Sequence, residues 1–171
     1  TPDVWYKATN GTPNLAVVSQ PGGGYREEAR RWGVDDRRWS YAAQFVDVDE
    51  DGKLDLYVVN DFGEKALYMR RGDRFVDEAQ ERGVLDAGNG MGVSFGDFNN
   101  DGFVDAVVGN RLAQSAVYLN DGSGSFTAGV VNIGSNSADT RAIATGDFNG
   151  DGNLDVALAV FSGQNAVYLG N

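Results

Sequence analysis

The chain has 171 residues, 42% of them hydrophobic, which is enough for one domain with a real core, and no apolar run reaches the roughly 18 residues of a membrane span. With no histidine and no cysteine, Ser-His-Asp and Cys-His catalysis, thiolate metal sites and disulfides are excluded, and hard cations with oxygen ligands are favoured. A net charge of −11 argues against a nucleic-acid partner and calls for something positive to offset it.

The 24 glycines against 3 prolines predict many short strands with frequent turns, an all-β chain. A shift of 50 positions superposes three acidic segments, 47–55 (DVDEDGKLD), 97–105 (DFNNDGFVD) and 147–155 (DFNGDGNLD), and the match extends well beyond them. The opening residues Thr1-Pro2-Asp3 show neither an initiator Met nor a signal pattern, so the chain is expected to be processed or cut from something longer.

In chain order, residues 1–40 begin inside a repeat: Asn10 aligns with Asn60, Tyr25 with Phe75, and Val34 with Val84, predicting second, third and fourth strands. Residues 41–90 predict a full set: 41–46, then 54–60, then 66–69, and a fourth strand beginning near Phe75 after a turn on Arg71-Gly72-Asp73. Residues 91–140 repeat this at 91–96, 104–110 and 116–119, with a turn on Asn120-Asp121-Gly122 and a fourth strand near Phe126. Residues 141–171 supply first, second and third strands at 141–146, 154–160 and 166–169, fourteen strands in all. Segments 27–32 and 77–82 are too short for stable helices and read as strand ends or short turns.

Four-stranded antiparallel units at this spacing predict a β-propeller, here about three and a half blades. Such a partial ring is expected to be a fragment of a longer chain, or to assemble with a second copy into a closed one.

Each acidic loop has the form D-x-[DN]-x-D-G-x-[LV]-D, which places oxygen-bearing side chains at positions 1, 3, 5 and 9. Alternating side chains of a tight loop can converge on one cation, and calcium takes six to eight oxygens. The candidate ligands are Asp47, Asp49, Asp51 and Asp55; Asp97, Asn99, Asp101 and Asp105; and Asp147, Asn149, Asp151 and Asp155. Lys53, Phe103 and Asn153 at position 7 would offer backbone carbonyls. Gly52, Gly102 and Gly152 supply the positive φ that reverses the chain. A helical calcium loop needs an acidic twelfth residue, but Val58, Val108 and Leu158 stand there, and an apolar strand pattern follows. Soluble hairpin turns would also use Asp, Asn and Gly. Three copies with the same repelling carboxylates favour calcium at three sites, and magnesium less, since it retains its own waters.

These loops and their flanking strands resemble the FG-GAP or VCBS repeats of integrin α-subunit propellers and of many bacterial extracellular proteins. The segments 75–79 (FVDEA) and 90–102 (GMGVSFGDFNNDG) are particularly similar to the cartilage acidic protein-like branch. The resemblance implies that each acidic loop joins the first and second strands of a blade and binds calcium. Phe95-Gly96 is not followed by Gly-Ala-Pro, so integrin-type ligand recognition does not carry over.

Several other signals are weaker. Arg71-Gly72-Asp73 is an integrin-recognised tripeptide, but its place in the repeat makes it a turn. All three tryptophans lie early, at Trp5, Trp32 and Trp39, and the last two follow arginine pairs; packing at a blade edge, with Asp35 and Asp36 holding those arginines, outweighs a platform for sugar or protein. Asn10-Gly11-Thr12 matches a glycosylation acceptor, and Gly22-Gly23-Gly24 reads as a flexible turn rather than a phosphate loop.

The resulting expectation is an extracellular or periplasmic calcium-binding scaffold for protein or carbohydrate interaction, without nucleic acid, membrane span or catalysis. The alternatives are the propeller portion of a secreted enzyme such as a polysaccharide lyase, which would need a base other than His, or a lectin.

Overall fold

The computed structural model describes residues 8–170. Its strands are β1 (Val17–Ser19), β2 (Tyr25–Glu27), β3 (Trp39–Val46), β4 (Asp55–Phe62), β5 (Ala66–Arg71), β6 (Arg74–Asp77), β7 (Asn89–Gly96), β8 (Asp105–Arg111), β9 (Ser115–Leu119), β10 (Gly129–Ile133), β11 (Thr140–Gly146), β12 (Asp155–Val160) and β13 (Ala166–Tyr168). They form four antiparallel meanders, β1-β2, β3-β4-β5-β6, β7-β8-β9-β10 and β11-β12-β13. The architecture is all-β, with sheets arranged as propeller blades. Among the described residues there are thirteen strands; the other strand expected, the second of the first unit, falls on residues 4–10, most of which lie outside the described residues. No helix among the described residues is long and apolar enough to cross a membrane.

Both faces of the inner strands β4 and β8 are covered, which explains why these two are nearly continuous apolar runs. Because side chains alternate along a strand, Tyr57 and Val59 of β4 join a core with Ala106 and Val108 of β8, while Val58 faces Ala29, Val34 and Phe75 on the other side. Val107 turns the opposite way and packs with Val156 and Leu158 of β12. The approach is close: a Cβ on Gly90 of β7 would lie 2.1 Å from Val59 Cγ1, so the sheets could not nest with any other residue there.

Two local expectations change. Ala29–Trp32 closes into one turn of α-helix (α1), ended by Gly33 at φ 79°. Its counterpart around Ala79 stays a turn, although both copies make the same bond, Val34 N–H to Ala29 O and Val84 N–H to Ala79 O. The fourth strand β10 starts at Gly129 rather than near Phe126. Phe126 is 1% exposed, wedged into the core with Val48 and Val84, and its N–H donates to Arg82 O, so the backbone is diverted before it can pair. By contrast, β5 and β6 are joined by the two-residue turn Gly72-Asp73, with Gly72 at φ 65°.

A bulge recurs at one point of the repeat. The register slips between Ser40 and Ala42, between Gly90 and Gly92, and between Thr140 and Ala142, leaving Tyr41, Met91 and Arg141 unpaired. Bulges re-aim the side chains they carry.

Candidate metal centre

The three acidic loops join β3 to β4, β7 to β8 and β11 to β12, all at one end of the sheets. Position 1 closes each loop: Asp47, Asp97 and Asp147 accept the N–H of Gly52, Gly102 and Gly152, each at 2.9 Å, with one oxygen, and the N–H of Asp51, Asp101 and Asp151 with the other. Those glycines have φ of 81°, 93° and 92°, as the turn requires. Position 4 is also left-handed, at Glu50, Asn100 and Gly150. The sequence signals that only in the third loop, where glycine stands there.

Position 9 is buried and tied. Asp55, Asp105 and Asp155 are 1%, 0% and 0% exposed. One oxygen of each accepts the N–H of loop position 2, from Val48, Phe98 or Phe148. The other accepts an N–H at or just beyond the third strand, from Arg70, Asn120 or Gly170, at 2.7–2.8 Å. The loop is thereby fastened to the sheet before any ion is considered. Burial raises the Asp55 and Asp105 carboxyls above the usual range; the amides pull them down only in part, and neighbouring loop carboxylates raise them further.

Position 5 is exposed. The N–H groups of Lys53, Phe103 and Asn153 donate to Asp51, Asp101 and Asp151. Lys53 Nζ also reaches Asp51 at 2.7 Å, and this bond chiefly holds the Asp51 carboxyl below its ordinary value. The Asn153 amide does the same first for Asp151.

Position 3 separates the loops. In the first, Asp47, Asp49 and Asp55 each bring one oxygen within 4.8 Å of the others, a carboxylate trio that could hold a metal ion. Asp49 Oδ1 is buried and has no hydrogen-bond partner among the described residues. Its other oxygen lies 3.5 Å from Arg71 and 3.7 Å from Arg82. An oxygen removed from water without a donor is costly, and a hard cation would satisfy it, so these residues fit calcium. In the other loops Asn99 and Asn149 occupy this position and donate to Asp101 and Asp151. There Asp97, Asp101 and Asp105, and likewise Asp147, Asp151 and Asp155, form no such carboxylate trio among the described residues. Asn153 reaches the neighbouring loop instead, accepting from Asn100 at 2.7 Å.

Sequence reasoning missed Arg71 and Arg82, whose approach depends on tertiary packing. Arg71 makes two bonds to Glu78, so the Arg71-Gly72-Asp73 turn presents no free arginine. Of the tryptophans, Trp32 packs at 6.0 Å on Phe75 beneath Arg70, Trp39 stays half exposed, and Trp5 lies outside the described residues. Asp36 holds Arg38 as expected. Gly22, Gly23 and Gly24 all have positive φ in the β1–β2 turn.

The family model of the FG-GAP-like repeat matches residues 47–108 and again 104–158, each match starting at or beside an acidic loop. No curated protein matches the chain.

Proposed function

We propose, since the chain belongs to the FG-GAP-like repeat family, that it is a calcium-stabilised propeller segment serving as a binding scaffold outside the cytosol. The observation that carries this reading is the Asp47, Asp49 and Asp55 trio with its unpartnered buried oxygen. The side chains of Asp47, Asp49, Asp51 and Asp55 with the Lys53 carbonyl would hold one ion. Asp97, Asn99, Asp101 and Asp105 with Phe103, and Asp147, Asn149, Asp151 and Asp155 with Asn153, would hold two more. Calcium supplies charge and crosslinking at these loops; three divalent ions would bring the net charge from −11 to −5.

A melt with and without chelator, beside a titration that counts bound ions, tests this. With a dissociation constant of about 0.1 mM, about 1 mM free calcium stabilises by roughly 1.4 kcal/mol per site, about 4 for three, so chelation lowers Tm by many degrees. Asp101→Ala removes one ion from the count. An unchanged midpoint, or no uptake at millimolar calcium, means the loops are merely acidic turns. Affinities of this order suit the extracellular space or periplasm, where calcium is abundant.

In this reading the chain binds rather than catalyses. Supporting that, two groups displaced by burial, Lys65 (lowered) and Tyr57 (raised), are enclosed between sheets, away from any substrate. The reading also pairs the chain with a second copy, since Val167 and Leu169 at one end of the array and Leu15 and Val17 at the other are exposed apolar side chains. Light scattering should give a mass above one copy; a monomer at every concentration up to millimolar removes that part.

A further inference from the structure

At the end of the sheets opposite the acidic loops, a cleft of about 410 Å³ is lined by Asn10, Thr12, Asn14, Trp39, Tyr41 and Asp61. Trp39 Nε1 donates to Asn10 Oδ1 at 3.0 Å, and Phe62 meets the indole edge-on, with centroids 6.0 Å apart at 78°. These contacts orient the ring but leave 48% of the residue exposed. Beside it Tyr41, lifted out of register by the bulge in β3, is 59% exposed. Two aromatic side chains, one held by its edges and both open to solvent, are not explained by core packing.

The polar side of the cleft is equally unspent. Asp61 Oδ1 is buried with no hydrogen-bond partner among the described residues. Arg38, which also lines the cleft, is engaged by Asp36 and Asp77, and Arg141, outside the lining, lies within electrostatic reach of Tyr41 and Asp61. The cleft thus sets an unpaired acceptor, with Asn10, Thr12 and Asn14 beside it, next to aromatic faces. An anionic ligand would meet Asp61, and a cationic one Arg38 and Arg141. A neutral polyol that donates and accepts along its edge and presents C–H groups on its face satisfies these groups together.

We propose that this cleft binds a neutral glycan, its sugar ring laid on Trp39 and Tyr41 and its hydroxyls donating to Asp61. The inference deepens the scaffold reading by giving its partner a class and a place, and it rests on that reading for the binding role but not for calcium.

The test is isothermal titration of the full chain, in calcium, with neutral hexasaccharides of β-1,4-glucan, β-1,4-xylan, β-1,4-mannan and chitin type. At least one should bind, and Trp39→Ala and Asp61→Ala should each weaken it by about tenfold or more. Tyr41→Ala, at an exposed bulge, serves if Trp39→Ala fails to fold, and Val130→Ala on the exposed face of β10 should leave binding unchanged. Absence of binding across the panel overturns the proposal. So does binding that survives both aromatic substitutions, or binding only to charged saccharides such as oligogalacturonate. Glycan binding by a chain whose melt ignores calcium would sink the calcium reading and leave this site standing.

Discussion

At one end of the sheets, loop carboxylates recur every 50 residues, and among the described residues only Lys53, Arg71 and Arg82 reach them with a charged side chain. At the other end Asp36 and Asp86, also 50 residues apart, each meet a cation and a phenol from the protein itself. Lys65, 0% exposed, places Nζ 2.7 Å from Asp86, which also accepts from Asn110. Arg38 bridges Asp36 and Asp77, and the Tyr68 hydroxyl donates to Asp36. The repeat places the acid and the tyrosine (Tyr68, Tyr118) alike, but the cation enters from different sides: the slot of Lys65 holds Leu15 one unit earlier, and the slot of Arg38 holds Gly88 one unit later. The lesson is that the acidic excess is not spread over the molecule. It is concentrated at the loop end, where the described residues supply few cations of their own.

The sharpest way to break this contrast is Lys65→Met. It leaves Asp86 buried without its ammonium partner, and loss of one member of such a pair costs about 3–5 kcal/mol. The same drop in Tm is expected in calcium and in chelator; a loss seen only with calcium would mean that the two ends are coupled. Adding Asp86→Leu should recover much of it. Asp105→Ala comes next. It strips an acceptor from the amides of Phe98 and Asn120, at about 1–3 kcal/mol for each orphaned group, so a loss of about 2 kcal/mol or more is expected even in chelator, together with one calcium fewer. Stability unchanged in chelator would show that position 9 serves the ion alone.

The sheets were legible because repeat and blade share one period, and because β4 and β8 advertise two buried faces by their unbroken apolar runs. The loops were legible in their ligand spacing, but not in what position 9 does without an ion: the amides of Arg70, Asn120 and Gly170 lie 15 residues further on, and only the folded hairpin brings them back. The diversion at Phe126 was hidden because an aromatic after a glycine-rich turn reads equally as strand or plug. The Lys65–Asp86 pair was invisible for a different reason: it spans 21 residues and has no counterpart in the other units, so neither periodicity nor local chemistry points to it.

The smallest expected effect separates the two ends by pH. At the far end, burial acts to raise the Asp86 carboxyl, but the Lys65 ammonium and the bonds from Gly88 and Asn110 outweigh it, leaving it below the ordinary value. A carboxyl depressed by folding contributes stability that is complete above its unfolded value, about 3.9, and is lost as pH falls through the lower folded value. At the loop end the sign reverses for Asp55 and Asp105, whose raised carboxyls cost stability when ionised without a cation, so in chelator Tm should rise slightly on acidification between their raised values and the ordinary one. Calcium requires those same groups deprotonated, so its contribution must shrink over that window. Melts recorded from neutral pH downward should therefore give calcium and chelator curves that converge as pH approaches about 4 and then fall together, the shared fall being reduced in Lys65→Met. Curves that stay parallel below that pH would mean that the loop carboxylates do not hold the ion.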